Sequence, residues 1–121
     1  MRVLVIDDSR AMRMILRTTL AELGHDIVEA GNGQQGLEVL RKEGPFDLAL
    51  VDWNMPVLNG YEFVRAVRSD KSHATMKVMM VTTEVETSHV TQALDAGADE
   101  YVMKPFTRDI LKEKIEMLSA A

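Results

Sequence analysis

The 121-residue chain has no cysteine, which excludes disulfides, thiolate metal centres and cysteine nucleophiles together. It also lacks any apolar run near the ~20 residues needed to cross a bilayer. Its opening, Met1-Arg2-Val3-Leu4-Val5-Ile6, runs straight into Asp7-Asp8. That stretch has neither the hydrophobic region nor the cleavage site of a signal peptide, so a cytoplasmic location is expected. Positive charge is in short supply: 14 Lys and Arg stand against 19 Asp and Glu, a net charge of -5. Nucleic acid and anionic lipid both attract a positive field, so neither is an expected partner. No internal repeat, low-complexity tract or linker divides the chain. One acidic domain spanning residues 1–121 remains.

Hydrophobic residues make up 46% of the sequence, enough at this length for a single core without staples. Val3-Leu4-Val5-Ile6, Leu48-Ala49-Leu50-Val51 and Val78-Met79-Met80-Val81 are short apolar runs suited to strands buried on both faces. Ile27-Val28, ending near Ala30, and Tyr101-Val102-Met103 supply two more strands. Between them the period becomes helical. Met12, Ile15, Leu16, Thr19, Leu20 and Leu23 form an inward stripe stopped by Gly24. Asn32-Gly33 opens a second helix with Leu37 and Leu40 inward, closed by Gly44-Pro45. Phe63, Val64 and Val67 face one side of a third helix, after a loop marked by Pro56 and Gly60. Val90, Ala93 and Leu94 recur up to Gly97, and Thr107 caps a last helix burying Leu111, Ile115 and Leu118. The fourth helix, between Glu86 and Ala96, begins in weak helix formers and is the segment expected to move.

Five strand–helix units with right-handed crossovers predict an α/β fold. The expected architecture is a five-stranded parallel sheet in the flavodoxin-like order 2-1-3-4-5, with helices on both faces. Among nine methionines, Met79 and Met80 read as core strand residues and Met12 as inward on the first helix. His25, His73 and His89 are scattered without partners at ligand spacing and read as surface residues.

Four of the strands end in chemically capable residues: Asp7-Asp8, Asp52, Thr82-Thr83 and Lys104. Ligands of open parallel sheets bind beyond the carboxyl ends of the strands, where the strand order reverses. In the expected order that reversal lies between strands one and three, so Asp7, Asp8 and Asp52 converge there, with Thr82 and Lys104 beside them. Taken singly, Asp7-Asp8 reads as a helix cap, Asp52 as a turn residue, Lys104 as a solvated loop lysine and Thr82 as a buried strand threonine. Together they are a problem of charge. Each carboxylate pair at 4 Å costs about 4 kcal/mol at an effective dielectric near 20, and Lys104 offsets one charge of three. Hard oxygen donors without His or Cys favour Mg²⁺, with Mn²⁺ as the substitute.

These residues resemble the receiver domain of two-component response regulators, and the resemblance covers the whole chain. Receivers are among the proteins from which the sheet-crevice rule was drawn, so that agreement is not independent. The resemblance implies a phosphorylation-driven switch rather than an enzyme with substrate turnover. Asp52 matches the phosphoacceptor, supplied by a sensor histidine kinase or by small phosphodonors. Asp7, Asp8 and Asp52 match the metal ligands, with the main-chain carbonyl at Asn54 as a further one. Thr82 and Lys104 match the residues that contact the phosphoryl group, and the Lys104-Pro105 bond is cis in the family. Asp52-Trp53-Asn54-Met55-Pro56, Val81-Thr82 with Glu84, and Tyr101-Val102-Met103-Lys104-Pro105-Phe106 are similar to the chemotaxis receivers. That similarity implies a flagellar motor switch protein as partner, met by the face of helix four, strand five and helix five. Tyr101 would then act with Thr82 in switching, Asn54 and Glu84 would set the dephosphorylation rate, and a phosphatase would assist. A monomer without an output domain is expected. Thr83, where chemotaxis receivers carry a small Ala, and Ser9-Arg10, in place of a more hydrophobic helix opening, depart from the pattern on partner-facing positions.

Three other functions compete. Phosphohydrolases of the haloacid dehalogenase type use the same residue types, but their second Asp of Asp-x-Asp is the general acid, and Asn54 cannot replace it. A flavodoxin-like carrier would place Asp7-Asp8 against the phosphate of its cofactor. A phosphorelay shuttle, passing the group to a histidine phosphotransferase, uses the same core chemistry as a chemotaxis receiver.

Overall fold

A computed structural model describes residues 1–83 and 89–119. Strands β1 (Arg2–Ile6), β2 (Asp26–Ala30), β3 (Leu48–Asp52), β4 (Lys77–Thr83) and β5 (Glu100–Lys104) alternate with helices α1 (Arg10–Glu22), α2 (Gly33–Glu43), α3 (Gly60–Arg68), α4 (Val90–Ala96) and α5 (Arg108–Ser119). All four strand pairings are parallel, and the sheet order is β2-β1-β3-β4-β5. The expected topology is the observed one.

The core has two halves, one on each side of the sheet. Leu4, Ile6, Val51 and Met80 meet Leu40 of α2, Phe63, Val64 and Val67 of α3 and Ala93 of α4. Val3, Val5, Leu50, Val81 and Val102 meet Leu16 and Leu20 of α1 and Leu111 and Ile115 of α5. Strand alternation divides the side chains in this way, and the central strand β3 is buried along its whole length. Met79 and Met80 are core residues, and Met12 is half-buried beneath α1. Among the described residues no helix is long and apolar enough to cross a membrane.

The helix ends follow local chemistry. Ser9, Asn32 and Asn59 cap α1, α2 and α3, and Asn59 with Glu62 forms a reciprocal capping box. Thr107 accepts from the Ile110 amide at the start of α5. Gly24 follows α1 with φ +90°, a conformation that a Cβ disfavours. The Lys104-Pro105 bond is cis, as the receiver pattern implied, and so is Gly44-Pro45.

Two readings need correction, and a third is untested. Ile15 is 52% exposed, because Met12, Leu16 and Leu20 already fill the stripe and Ile15 falls to its flank. The histidines are half-buried rather than free surface residues: His25 meets the N-terminal amine, His73 lies 3.7 Å from Asp70, and His89 stacks on Trp53. Of the fourth helix, the structure describes Val90–Ala96; the expected start at Glu86, and the mobility expected there, fall outside the described residues.

Candidate phosphoacceptor and cation site

Parallel pairing brings the carboxyl ends of β1, β3 and β5 to one edge. Asp7, just beyond β1, is anchored by its amide to the Ala30 carbonyl at 3.2 Å and accepts the Ser9 amide on Oδ1 at 2.8 Å. Asp52 is the last residue of β3. From the end of β5, Lys104 Nζ reaches Asp52 Oδ1 at 3.1 Å and Asp7 Oδ2 at 3.4 Å. One carboxylate oxygen from each of Asp7, Asp8 and Asp52 lies within 4.8 Å of the others. Asp7 and Asp52 are buried and Asp8 is exposed, so the cluster opens to solvent on the Asp8 side.

The electrostatics fit a cation. Burial pushes the Asp52 carboxyl up to about 6, the Asp7 charge pushes in the same direction, and Lys104 opposes both. For Lys104, burial favours the neutral amine, but the charges of Asp52 and Asp7 outweigh it and raise its pKa. One ammonium therefore faces three carboxylates, one of which resists ionisation. Carboxylate oxygens are hard donors, and this set matches the preferences of Mg²⁺ or Mn²⁺.

The other expected residues are arranged around this centre. Thr82, 2% exposed, has its hydroxyl 3.4 Å from the Thr83 carbonyl. Alternation places Thr82 with Met80 and Tyr101 on the α2–α4 side of the sheet, opposite to Val81 and Val102. Lys104 shares the parity of Val102, so Tyr101 and Lys104 project to opposite faces, as their spacing required. Asn54 is exposed two residues past Asp52. Glu84 lies outside the described residues. The loop after β3 returns to its strand at Gly60, whose amide donates to the Trp53 carbonyl at 3.0 Å. A Cβ on Gly60 would stand 2.5 Å from the Asp52 carbonyl oxygen, so only glycine fits there.

Two contacts beside the site escaped the sequence reading. Trp53, 8% exposed, is covered by His89. Arg13 on α1 donates to the Asp7 carbonyl at 2.5 Å and pairs with Glu29 at 3.3 Å. Neither contact leaves a signal in sequence spacing, since each joins segments brought together only by the crossovers.

The chain is similar to known proteins in sequence and fold. Residues 3–116 match the family of response regulator receiver domains. A "Chemotaxis protein CheY homolog" of Campylobacter jejuni is 45% identical over 117 residues, covering 96% of this chain and 90% of that protein. "Chemotaxis protein CheY1" of Helicobacter pylori is 42% identical over 98% of this chain and 96% of its own length. The solved structure of Vibrio cholerae chemotaxis protein CheY4 superposes with a TM-score of 0.89 at 32% identity, over 97% of each chain. With its sheet order, its acidic cluster and its facing lysine all accounted for, the chain belongs to the receiver domains of two-component response regulators.

Proposed function

We propose that the protein is a phosphorylation-activated switch in which Asp52 accepts a phosphoryl group from a sensor histidine kinase. The placement of Asp52 carries this reading: buried at the end of the central strand, within the carboxylate cluster and 3.1 Å from Lys104. A carboxylate oxygen of Asp52 attacks phosphorus, and the new P–O bond forms as the bond from phosphorus to the donor's nitrogen or oxygen breaks. The leaving group keeps the bonding pair: a histidine nitrogen takes a proton from solvent, and acetyl phosphate releases acetate as the anion. Lys104 neutralises charge on the phosphoryl oxygens.

Receiver domains bind Mg²⁺ in an acidic pocket. Here Asp7, Asp8 and Asp52, with the main-chain carbonyl of Asn54, would hold Mg²⁺, and Mn²⁺ suits the same donors. The ion supplies positive charge against the phosphoryl oxygens. Phosphorylation replaces a carboxylate at -1 with an acyl phosphate at about -2. The Thr82 hydroxyl turns toward the new oxygens, and Tyr101, on the same sheet face, takes up the space it leaves. That change is read on the face of α4, β5 and α5 by a flagellar motor switch protein. The chemotaxis names of the relatives in C. jejuni and H. pylori support this output. The switch works as a monomer in the cytoplasm, and a phosphatase can hasten its decay.

Intact mass after incubation with Mg²⁺ and acetyl phosphate tests the chemistry: one phosphoryl group is expected on wild type and none on Asp52→Asn. A mass shift that persists in the mutant removes Asp52 as acceptor. Capture from lysate with the phosphorylated form tests the output. Flagellar switch components support it, and a histidine phosphotransfer protein in their place replaces it with a relay.

A further inference from the structure

The Asp8 carboxylate makes no hydrogen bond or ion pair among the described residues, whereas both oxygens of Asp7 are held, by Ser9 and Lys104. The aim of Asp8 is therefore set by its backbone, and first by the peptide plane that joins it to Asp7. The carbonyl oxygen of that peptide accepts Arg13 Nη1 at 2.5 Å. Arg13 is itself fixed, with Nε 3.3 Å from Glu29 Oε1 on β2 and a side chain only 19% exposed. Glu29 is steadied in turn by Arg17 at 2.7 Å. A planar guanidinium can satisfy a carbonyl and a carboxylate at once in a fixed fork, which a single ammonium cannot reproduce.

We propose that Arg13 is a positioning residue of the cation site: held by Glu29, it locks the peptide between Asp7 and Asp8 and so aims the Asp8 carboxylate at the ion. The inference rests on the reading of the acidic cluster as a Mg²⁺ site. It assigns Arg13 a geometric role rather than an electrostatic one, and the two have opposite signs. A positive charge beside a cation site weakens cation binding, so deleting the charge alone would tighten it. Losing the lock leaves Asp8 to sample orientations that do not face the ion, which loosens binding.

The test is a Mg²⁺ titration followed by Trp53 fluorescence, with the Mg²⁺-dependent rise in melting temperature as a second readout. Arg13→Met keeps most of the aliphatic stem and removes the fork; its Mg²⁺ dissociation constant is expected to rise about fivefold. Arg13→Lys keeps the charge and reaches one acceptor at a time; a rise of about threefold is expected. Glu29→Gln should weaken binding in the wild-type background and have no effect on top of Arg13→Met. An unchanged or lower dissociation constant in Arg13→Met overturns the proposal. If that variant does not fold, an unchanged constant in Arg13→Lys does the same. A wild-type protein that ignores Mg²⁺ overturns the metal site, and this role with it.

Discussion

The indole of Trp53 lies face to face with the imidazole of His89, ring centroids 4.7 Å apart and planes 12° from parallel. Trp53 follows Asp52 directly, and His89 immediately precedes α4, so the stack joins the loop of the acidic site to the start of that helix. Tyr61 of α3 flanks the indole on another side, 6.0 Å away.

Replacing His89 with Ala should uncover one face of the only tryptophan. Emission is expected to shift to the red, and acrylamide quenching to rise about twofold, toward that of a surface indole. Quenching equal to wild type would show that the imidazole does not shield it.

The raised pKa of Asp52 has a consequence for stability. The folded-state value of about 6 exceeds the 3.8 of an ordinary aspartate. The unfolded chain therefore releases this proton first, and stability present below pH ~4 is lost as pH rises through ~6. The rise from 3.8 to about 6 corresponds to about 3 kcal/mol at most. Without divalent cations, Asp52→Asn should be more stable than wild type at pH 7.5 by up to that amount, and no more stable near pH 3.5. Urea denaturation at the two pH values measures it, and a difference independent of pH would refute the assignment.

Val57 has φ 71° while its side chain is 79% exposed. A β-branched residue is strained in the left-handed region, and an exposed one has little packing to compensate. Val57→Asn should stabilise the fold by about 1 kcal/mol, seen as a higher urea midpoint at unchanged slope. A lower midpoint would mean that Val57 makes contacts worth more than its strain.

Asn54 is exposed two residues past Asp52, and on the proposed function a water attacking the acyl phosphate in line would pass beside it. Asn54→Arg should slow self-dephosphorylation about tenfold, or 1.4 kcal/mol in the barrier, by blocking that water and pairing with the phosphoryl oxygens. Decay followed after rapid removal of the phosphodonor, at constant Mg²⁺, decides it. Equal rates would free Asn54 of any gating role.

The sheet was legible because its strands are short apolar runs that only a doubly covered sheet can bury, and such runs are hard to mistake at Val3–Ile6 or Leu48–Val51. Asp7, Asp52 and Lys104 were legible as a group because parallel pairing sends every strand's carboxyl end to one edge. Ile15 was misread because a helical stripe has a flank, and only the partner surface decides which flank is covered. The pairs Arg13–Glu29 and Trp53–His89 were invisible for a different reason. The first joins α1 to the strand that follows it and the second joins two different loops, and neither hydrophobic period nor capping chemistry carries information about such meetings.

Gly60 closes the loop that leaves β3 at Asp52 back onto the strand it came from, with no room even for a methyl group against the Asp52 carbonyl. The segment between is thus a ring clasped at one point beside Asp52. The exposed positions on that ring, Asn54, Pro56 and Val57, can be respelled without touching the clasp, whereas Trp53 and Met55 are committed to the core. The rim can vary by substitution while the clasp at Gly60 keeps the end of β3, and Asp52 with it, where it is.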